Sequence, residues 1–161
     1  MITFENIGHY GRLCNQLFQY GILYAVAKKN GYDFALPSDN FKIVDSSPNP
    51  VIGNKRDYMF LQIYECFNIS GKLLPKSEIY FNETFDHGSD YSKFVPSVFD
   101  VNDHTNIKGF FNSYKYFEGY ESEIKKEFQF KTEIEDTTLK YFDKLKDEQN
   151  GKSVTGVHVR R

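Results

Sequence analysis

Residues 2–37 read ITFENIGHYGRLCNQLFQYGILYAVAKKNGYDFALP, and the order of apolar and turn-forming residues in this stretch decides the predicted fold. Ile2 to Ile7 is predicted to form a buried strand. Gly8 and Gly11 then supply a turn in which the backbone can approach a ligand closely. From about Asn15 to Asn30, apolar residues cover nearly the whole helix surface, which predicts a buried helix. A strand, a glycine turn and a helix in this order are typical of the start of an α/β domain.

The rest of the chain continues the α/β pattern around a loop-rich middle. Gly31 is placed to end the first helix in a left-handed conformation, and the strand that follows is predicted to stop at Pro37. Leu139, Phe142 and Leu145 are predicted to form the inward face of the last helix. The other expected elements are a helix over residues 58–67, a strand over 107–111, a helix over 117–128 and a last helix over about 135–150, with loop-rich segments at 38–57 and 75–103.

Composition and charge exclude several classes of protein. The 161 residues suffice for one ordinary domain, and the formal net charge of -2 gives no overall attraction to nucleic acid or to an anionic membrane. No stretch approaches the roughly 18 apolar residues of a membrane span, and no basic segment followed by an apolar run opens the chain. Cys14 and Cys66 lack the spacing of a zinc site or a disulfide framework. These features predict a cytoplasmic protein with no integral membrane segment and no nucleic-acid partner.

The last residues carry the chemistry best suited to an anion. Residues 153–161 read SVTGVHVRR and are predicted to form a strand with Arg160 and Arg161 at its carboxyl end, where ligands of open α/β sheets bind. The guanidinium fork of arginine matches phosphate oxygens, and His158 lies on the same face of the strand as Arg160. Taken alone, the two arginines also suit a surface ion pair. The sequence has no Asp-x-Asp or His-x-x-x-His spacing, which favours stabilisation of phosphate charge without a metal.

Three segments resemble one enzyme family in the same order along the chain. Residues 11–20 (GRLCNQLFQY) resemble the Gly-Leu-Gly-Asn-Gln-Met-Phe-Gln-Tyr opening of the alpha-1,2-fucosyltransferases, glycosyltransferase family 11 of the GDP-fucose-dependent superfamily. Residues 107–117 (IKGFFNSYKYF) resemble the family's Gly-Tyr/Phe-Phe-Gln-Ser-x-Lys-Tyr-Phe stretch. Residues 158–161 (HVRR) match the start of its His-x-Arg-Arg-Gly-Asp-Tyr signature. Two departures are that Cys14 replaces the usual glycine and that the Gly-Asp-Tyr of the signature is not within the chain.

The resemblance implies a GT-B-like fold, with the active site between two α/β halves. Residues 1–151 would form the Rossmann-like, acceptor-side half, and residues 152–161 the first strand of a donor-binding half that the chain does not include. The implied reaction transfers L-fucose from GDP-L-fucose to a hydroxyl of a galactose-containing glycan, in alpha-1,2 linkage, with inversion and with no metal or other cofactor. As an N-terminal portion of such an enzyme, the chain alone is expected to be inactive.

The resemblance also assigns roles to individual residues. Arg160 is expected to be catalytic, because it would bind the β-phosphate of GDP-fucose and stabilise the departing GDP. A general base must accept the proton of the galactoside hydroxyl, and no residue is assigned to that role. The remaining residues expected to contribute to donor binding at the cleft are His158, Arg161, Arg12, Asn15 and Gln16.

Two other functions stay open from the sequence. Residues 11–16 are similar to the Gly-Arg-Phe-Gly-Asn-Gln segment of protein O-fucosyltransferases, which suggests another member of the superfamily, with alpha-1,6 linkage or protein O-fucosylation. A non-catalytic carbohydrate-binding or structural module is suggested by Cys14 and by the end of the chain at Arg161.

Overall fold

The structure of the protein is a computed structural model, which describes residues 1–8, 11, 13–41, 63–88, 90, 93–149, 153, 155–157 and 159. The chain divides into two compact units, Met1–Gln129 and Phe130–Arg161. The hydrophobic core lies in the first unit, together with the sheet. The second unit contains the last helix.

A parallel five-stranded sheet organises the first unit. Its strands are β1 (Ile2–Thr3), β2 (Phe34–Pro37), β3 (Lys72–Leu74), β4 (Glu83–Asp86) and β5 (Thr105–Lys108). They lie in the order β3-β2-β1-β5-β4, and every neighbouring pair is parallel. The strand order therefore reverses beside β1, as in Rossmann-like sheets, whose ligands bind beyond the carboxyl ends of the strands at such a point. The prediction of an α/β fold is confirmed.

The described helices are α1 (Leu13–Asn30), α2 (Ile63–Cys66), α3 (Glu121–Glu127) and α4 (Thr132–Glu148), with 3₁₀ turns at Ser38–Phe41, Lys76–Glu78, Pro96–Asp100 and Tyr114–Phe117. The prediction for α1 is confirmed, since it is buried along most of its length. Gly31 ends it with a φ of 69°, and the N–H of Tyr32 turns back to the carbonyl oxygen of Ala27 at 2.9 Å. This left-handed termination is the one that glycine permits without strain.

Several elements differ from their predicted bounds for identifiable reasons. The ladder of β1 ends at Thr3, and the N–H of Glu5 bonds instead to the side-chain oxygen of Asn106 at 2.9 Å. The predicted helix over 117–128 is two elements, because Gly119, with a φ of 89°, separates the 3₁₀ turn from α3. The strand predicted over 107–111 is displaced to β5, since Gly109 adopts a φ of 144° just beyond it. The first half of the predicted helix over 58–67 lies outside the described residues, and the described half contains α2.

The second unit contradicts two predictions of packing. No described residue of α4 is buried, and Leu139 and Phe142 are 53% and 41% exposed. Leu139, Phe142 and Leu145 do lie on one apolar face about 120° wide, as predicted, but that face is not buried. Within the strand predicted over residues 153–161, the described positions 153, 155–157 and 159 are exposed and belong to no strand. No helix in the described part of the chain has the length and apolar character needed to cross a membrane.

A buried tyrosine ties α1 to α3. The hydroxyl of Tyr20 donates a hydrogen bond to Glu127 at 2.6 Å and accepts one from the N–H of Gly71 at 3.2 Å. Glu127 also accepts bonds from the N–H and the hydroxyl of Ser70, at 2.8 and 2.6 Å. Burial, reinforced by the Glu127 carboxylate, raises the pKa of Tyr20 above its ordinary value of 10.0. The same two causes raise the pKa of Tyr64.

These raised pKa values predict a loss of stability at alkaline pH. The folded protein keeps Tyr20 protonated where the unfolded chain ionises it, so its contribution is complete below about pH 10 and is lost as pH rises. Each such tyrosine should contribute a slope of about 1.4 kcal/mol per pH unit above pH 10. Urea unfolding between pH 9 and 11 measures that slope, and Tyr20→Phe is expected to reduce it by one tyrosine's share. Identical slopes for both proteins would contradict the prediction.

Candidate functional site

The carboxyl ends of β1 and β5 meet where the strand order reverses. β1 leads into the glycine turn, residues 4–11, of which 9 and 10 lie outside the described residues. In this turn Gly8 and Gly11 have φ values of 86° and 98°. β5 leads into the β5 turn, residues 109–113, whose first residue has a φ of 144°. Positive φ values favour glycine, and they bring backbone without side chains to this end of the sheet. This end is therefore the candidate site.

The glycine turn delivers the chain to the start of α1. Asn15 is half-buried in the first turn of the helix, and a β-carbon added to Gly11 would overlap its side-chain amide. Gly11 is thus required both by its φ and by the position of Asn15. The first turn of α1 has no acidic residue, so the positive end of the helix dipole is not neutralised locally. The backbone N–H groups at the start of a helix, together with a neutral side-chain amide such as that of Asn15, can bind an anionic oxygen.

A buried amide joins the two turns. The side chain of Gln19 is fully buried in the middle of this arrangement. Its Oε1 accepts a hydrogen bond from the N–H of Gly8 at 3.4 Å, and its Nε2 donates one to the carbonyl oxygen of Gly109 at 3.2 Å. Leaving such a buried group unpaired costs about 1–3 kcal/mol. The two bonds therefore hold the glycine turn and the β5 turn in a fixed relation.

Aromatic packing extends this contact along α1. The rings of Phe18 and Phe117 lie 5.6 Å apart between centroids. Phe117 also covers Gly21, where an added β-carbon would come within 3.0 Å of the ring. Residues 11–20 and 107–117 are therefore neighbours in space as well as the two segments singled out in the sequence.

The structure describes two of the six predicted site residues. Asn15 lies at the start of α1, as described above. Gln16 is buried, and its Oε1 accepts a hydrogen bond from the N–H of Ile63 at 3.4 Å, which ties α1 to the start of α2. The other predicted site residues, which lie outside the described residues, are Arg12, His158, Arg160 and Arg161.

A buried histidine that the sequence pattern did not identify lies beside the β5 turn. His87 follows β4 and is 8% exposed. Its Nε2 lies 2.8 Å from the carbonyl oxygen of Lys93 and 2.9 Å from the hydroxyl oxygen of Tyr116. A carbonyl oxygen only accepts, so we infer that Nε2 carries a proton. Nδ1 is buried and has no hydrogen-bond partner among the described residues.

The surroundings of His87 are aromatic and strained. Its ring lies 4.6 Å from that of Phe111, which is fully buried although its φ is 54°. Burial raises the pKa of Tyr116, whose hydroxyl also accepts a bond from the N–H of Val95 at 2.8 Å. Positive φ at a bulky residue costs about 1–3 kcal/mol and persists only where the packing around it fixes the chain. The conformation of the β5 turn is thus stabilised by packing contacts and not by the backbone preferences of its residues.

Charged groups near this edge are paired. Asp86 and Lys108 form an ion pair of 2.8 Å at the ends of β4 and β5, and the hydrogen bond from Lys108 lowers the pKa of Asp86. At the opposite, amino ends of the same strands lies a polar cleft of about 250 Å³, whose lining includes Glu83, Asp100 and Asn102. No group of three metal-ligating side chains occurs within the described part of the chain.

Comparisons with protein-family models, with curated proteins and with solved structures find no match to this chain. What the candidate site binds therefore has to follow from its own groups. These are helix-start N–H donors, the amide of Asn15 and glycine backbone at the carboxyl edge of a parallel sheet. Together they suit a phosphate or a sugar hydroxyl better than an apolar ligand.

Proposed function

We propose that this chain is the acceptor-side half of a GT-B-type fucosyltransferase, which transfers L-fucose from GDP-L-fucose to a galactoside hydroxyl in alpha-1,2 linkage. One observation supports this most strongly. Residues 11–20 and 107–117 resemble that family separately, and they are in direct contact through the bond from Gln19 to Gly109. The contact lies at the carboxyl ends of β1 and β5, where an open parallel sheet binds its ligands.

In the proposed reaction, the galactoside hydroxyl gives its proton to a general base and its oxygen attacks C1 of fucose while the bond from C1 to the β-phosphate oxygen breaks, so the configuration at C1 inverts. Arg160 would bind the β-phosphate and neutralise the charge that grows on the departing GDP, with His158 and Arg161 beside it. Arg12 and Asn15 would also contribute to donor binding. Gln16 would contribute from a fixed position, because its Oε1 accepts a hydrogen bond from the backbone of α2.

Expression of the complete gene product tests this proposal. With GDP-fucose as donor and lactose as acceptor, we expect a fucosylated product whose new bond is alpha-1,2, and we expect EDTA to leave the rate unchanged. Mass spectrometry and NMR of the product measure both results, with GDP-mannose as the donor control. A folded protein that neither binds GDP nor consumes GDP-fucose would contradict the proposal. An alpha-1,6 product or a fucosylated peptide would correct the linkage, and sugar binding without transfer would favour a non-catalytic module.

A further inference from the structure

We propose that Gln19 is a positioning residue for fucosyl transfer, which locks the glycine turn to the β5 turn so that groups at the start of α1 are held against the acceptor. This inference rests on the proposed function. Gln19 touches neither substrate in this arrangement, because its side chain is fully buried and its amide bonds to Gly8 and Gly109. Its effect on the reaction would therefore pass through the two turns.

Burying the side-chain amide of Gln19 costs free energy unless the amide is hydrogen-bonded. Most of the buried neighbours of Gln19 along α1 are apolar, and an amide buried among them must be hydrogen-bonded to be tolerated. A leucine or methionine would fill the same space without that requirement. The bonds that Gln19 makes reach past its own helix to backbone groups at both walls of the candidate site.

The two described partners of Gln19 are glycines, whose backbone can adopt many conformations unless other groups hold it. Gly8 and Gly109 have no side chain to hold them, and glycine loses more conformational freedom on folding than any other residue. Fixing both with one rigid amide removes that freedom at the two walls together. Displacements of about 1 Å at a reacting centre reduce transfer rates on the order of a hundredfold.

The expected signature separates turnover from nucleotide binding. The proposed phosphate contacts come from residues 158–161, whereas Gln19 acts on residues 4–11 and 109–113. Loss of the amide should therefore lower kcat by a larger factor than it raises the dissociation constant of GDP. A general loss of folding would also lower the apparent kcat, but it would reduce the number of GDP-binding sites in the same proportion, so kcat is expressed per GDP-binding site.

Two substitutions at Gln19 distinguish its bonds to Gly8 and Gly109. Gln19→Met keeps the volume and removes both of these bonds. Gln19→Glu keeps an acceptor for the N–H of Gly8, but its carboxylate cannot donate to the carbonyl oxygen of Gly109. When that carboxyl is protonated it can donate again, and burial favours the protonated form. The two described partners are uncharged backbone groups, α1 has no charged residue before Lys28, and the titratable side chain packed against Gly109 from the end of β4 is His87.

Steady-state kinetics of the complete gene product are expected to show a fall of tenfold or more in kcat per GDP-binding site for Gln19→Met, with a smaller change in GDP affinity. Gln19→Glu should recover kcat per GDP-binding site relative to wild type as pH is lowered from 8 to 5.5, whereas a loss of folded protein would change the number of sites and not kcat per site. The matched control is Thr3→Val, which removes one buried bond, from Thr3 Oγ1 to the carbonyl oxygen of Ala35 at 2.8 Å, and leaves both described bonds of Gln19 in place. Its kcat should be unchanged.

The outcomes distinguish this inference from the proposed function. If the wild-type protein transfers no fucose, the proposed function is wrong. If the wild-type protein is active and Gln19→Met keeps full kcat, or if Thr3→Val loses as much, Gln19 has no positioning role. Hydrogen exchange gives a second measurement, because Gln19→Met should raise exchange in residues 4–8 and 109–113 together, and equal protection there would also overturn the inference.

Discussion

Gly109→Ala is expected to lower the free energy of unfolding by about 3 kcal/mol or more. Gly109 has a φ of 144°, which an alanine side chain rarely adopts. A β-carbon there would also lie 2.5 Å from the β-carbon of His87 and 3.1 Å from the ring of Phe111. The His87 atom is attached directly to the backbone after β4, so relief of the overlap requires movement of the chain itself. Urea unfolding monitored by circular dichroism measures the loss.

Gly119→Ala is the matched control for that experiment. Gly119 also has a positive φ, 89°, but no described atom lies within 4 Å of the position of an added β-carbon. Its substitution should cost only the backbone strain, about 1–2 kcal/mol. The excess loss in Gly109→Ala therefore reports the contacts with His87 and Phe111, together with the difference in strain between φ values of 144° and 89°. Equal losses would mean that the β5 turn accommodates a methyl group and that the close packing on His87 does not limit stability.

Arg160→Lys is expected to reduce kcat/KM of the complete gene product about thirtyfold or more, a loss of about 2 kcal/mol of transition-state stabilisation. Lysine keeps the positive charge but replaces the two-pronged guanidinium contact to phosphate with a single ammonium. The loss should appear in kcat as well as in KM, since charge on the β-phosphate grows as the bond to fucose breaks. Initial rates with varied GDP-fucose measure both constants.

The unfolding midpoint serves as the control for Arg160→Lys, because a substitution of one cation by another should leave it within about 1 °C. If the variant has normal stability and normal kcat/KM, Arg160 does not take part in the reaction. The assignment of the phosphate site to residues 158–161 would then fail with it.

The elements of the first 37 residues could be predicted from the sequence, apart from the end of β1, because their signals are local. The apolar surface of α1 and the glycine at its end each depend on residues within a few positions of one another. β3 and β4 lacked such signals, since they are three and four residues long and none of their residues is buried. The register that joins them to the sheet comes from neighbours far away in the chain.

The same distinction applies to the candidate site. The position of Asn15 at the start of a helix could be predicted, because the glycines before it indicate a turn at that point. Gln19 and His87 have their important contacts with backbone and aromatic groups elsewhere, including a bond that spans 90 residues from Gln19 to Gly109. A glutamine in an otherwise apolar run was the available signal for the first, because a buried amide requires a partner. For His87 no local pattern was present.

The position of β1 at the centre of the sheet has a consequence for biosynthesis. Its neighbour β2 follows within about 35 residues, but its other neighbour pairs Asn106 with Thr3, roughly 100 residues later. At ribosomal speeds of about 5–20 residues per second, synthesis of the residues between β1 and β5 takes on the order of 5–20 seconds, and during that time β1 lacks its partner on that side. During that interval the nascent chain presents an unpaired apolar strand, a state that invites aggregation and that chaperones recognise. Slow translation between residues 40 and 105 would lengthen this exposure and lower the yield of folded protein.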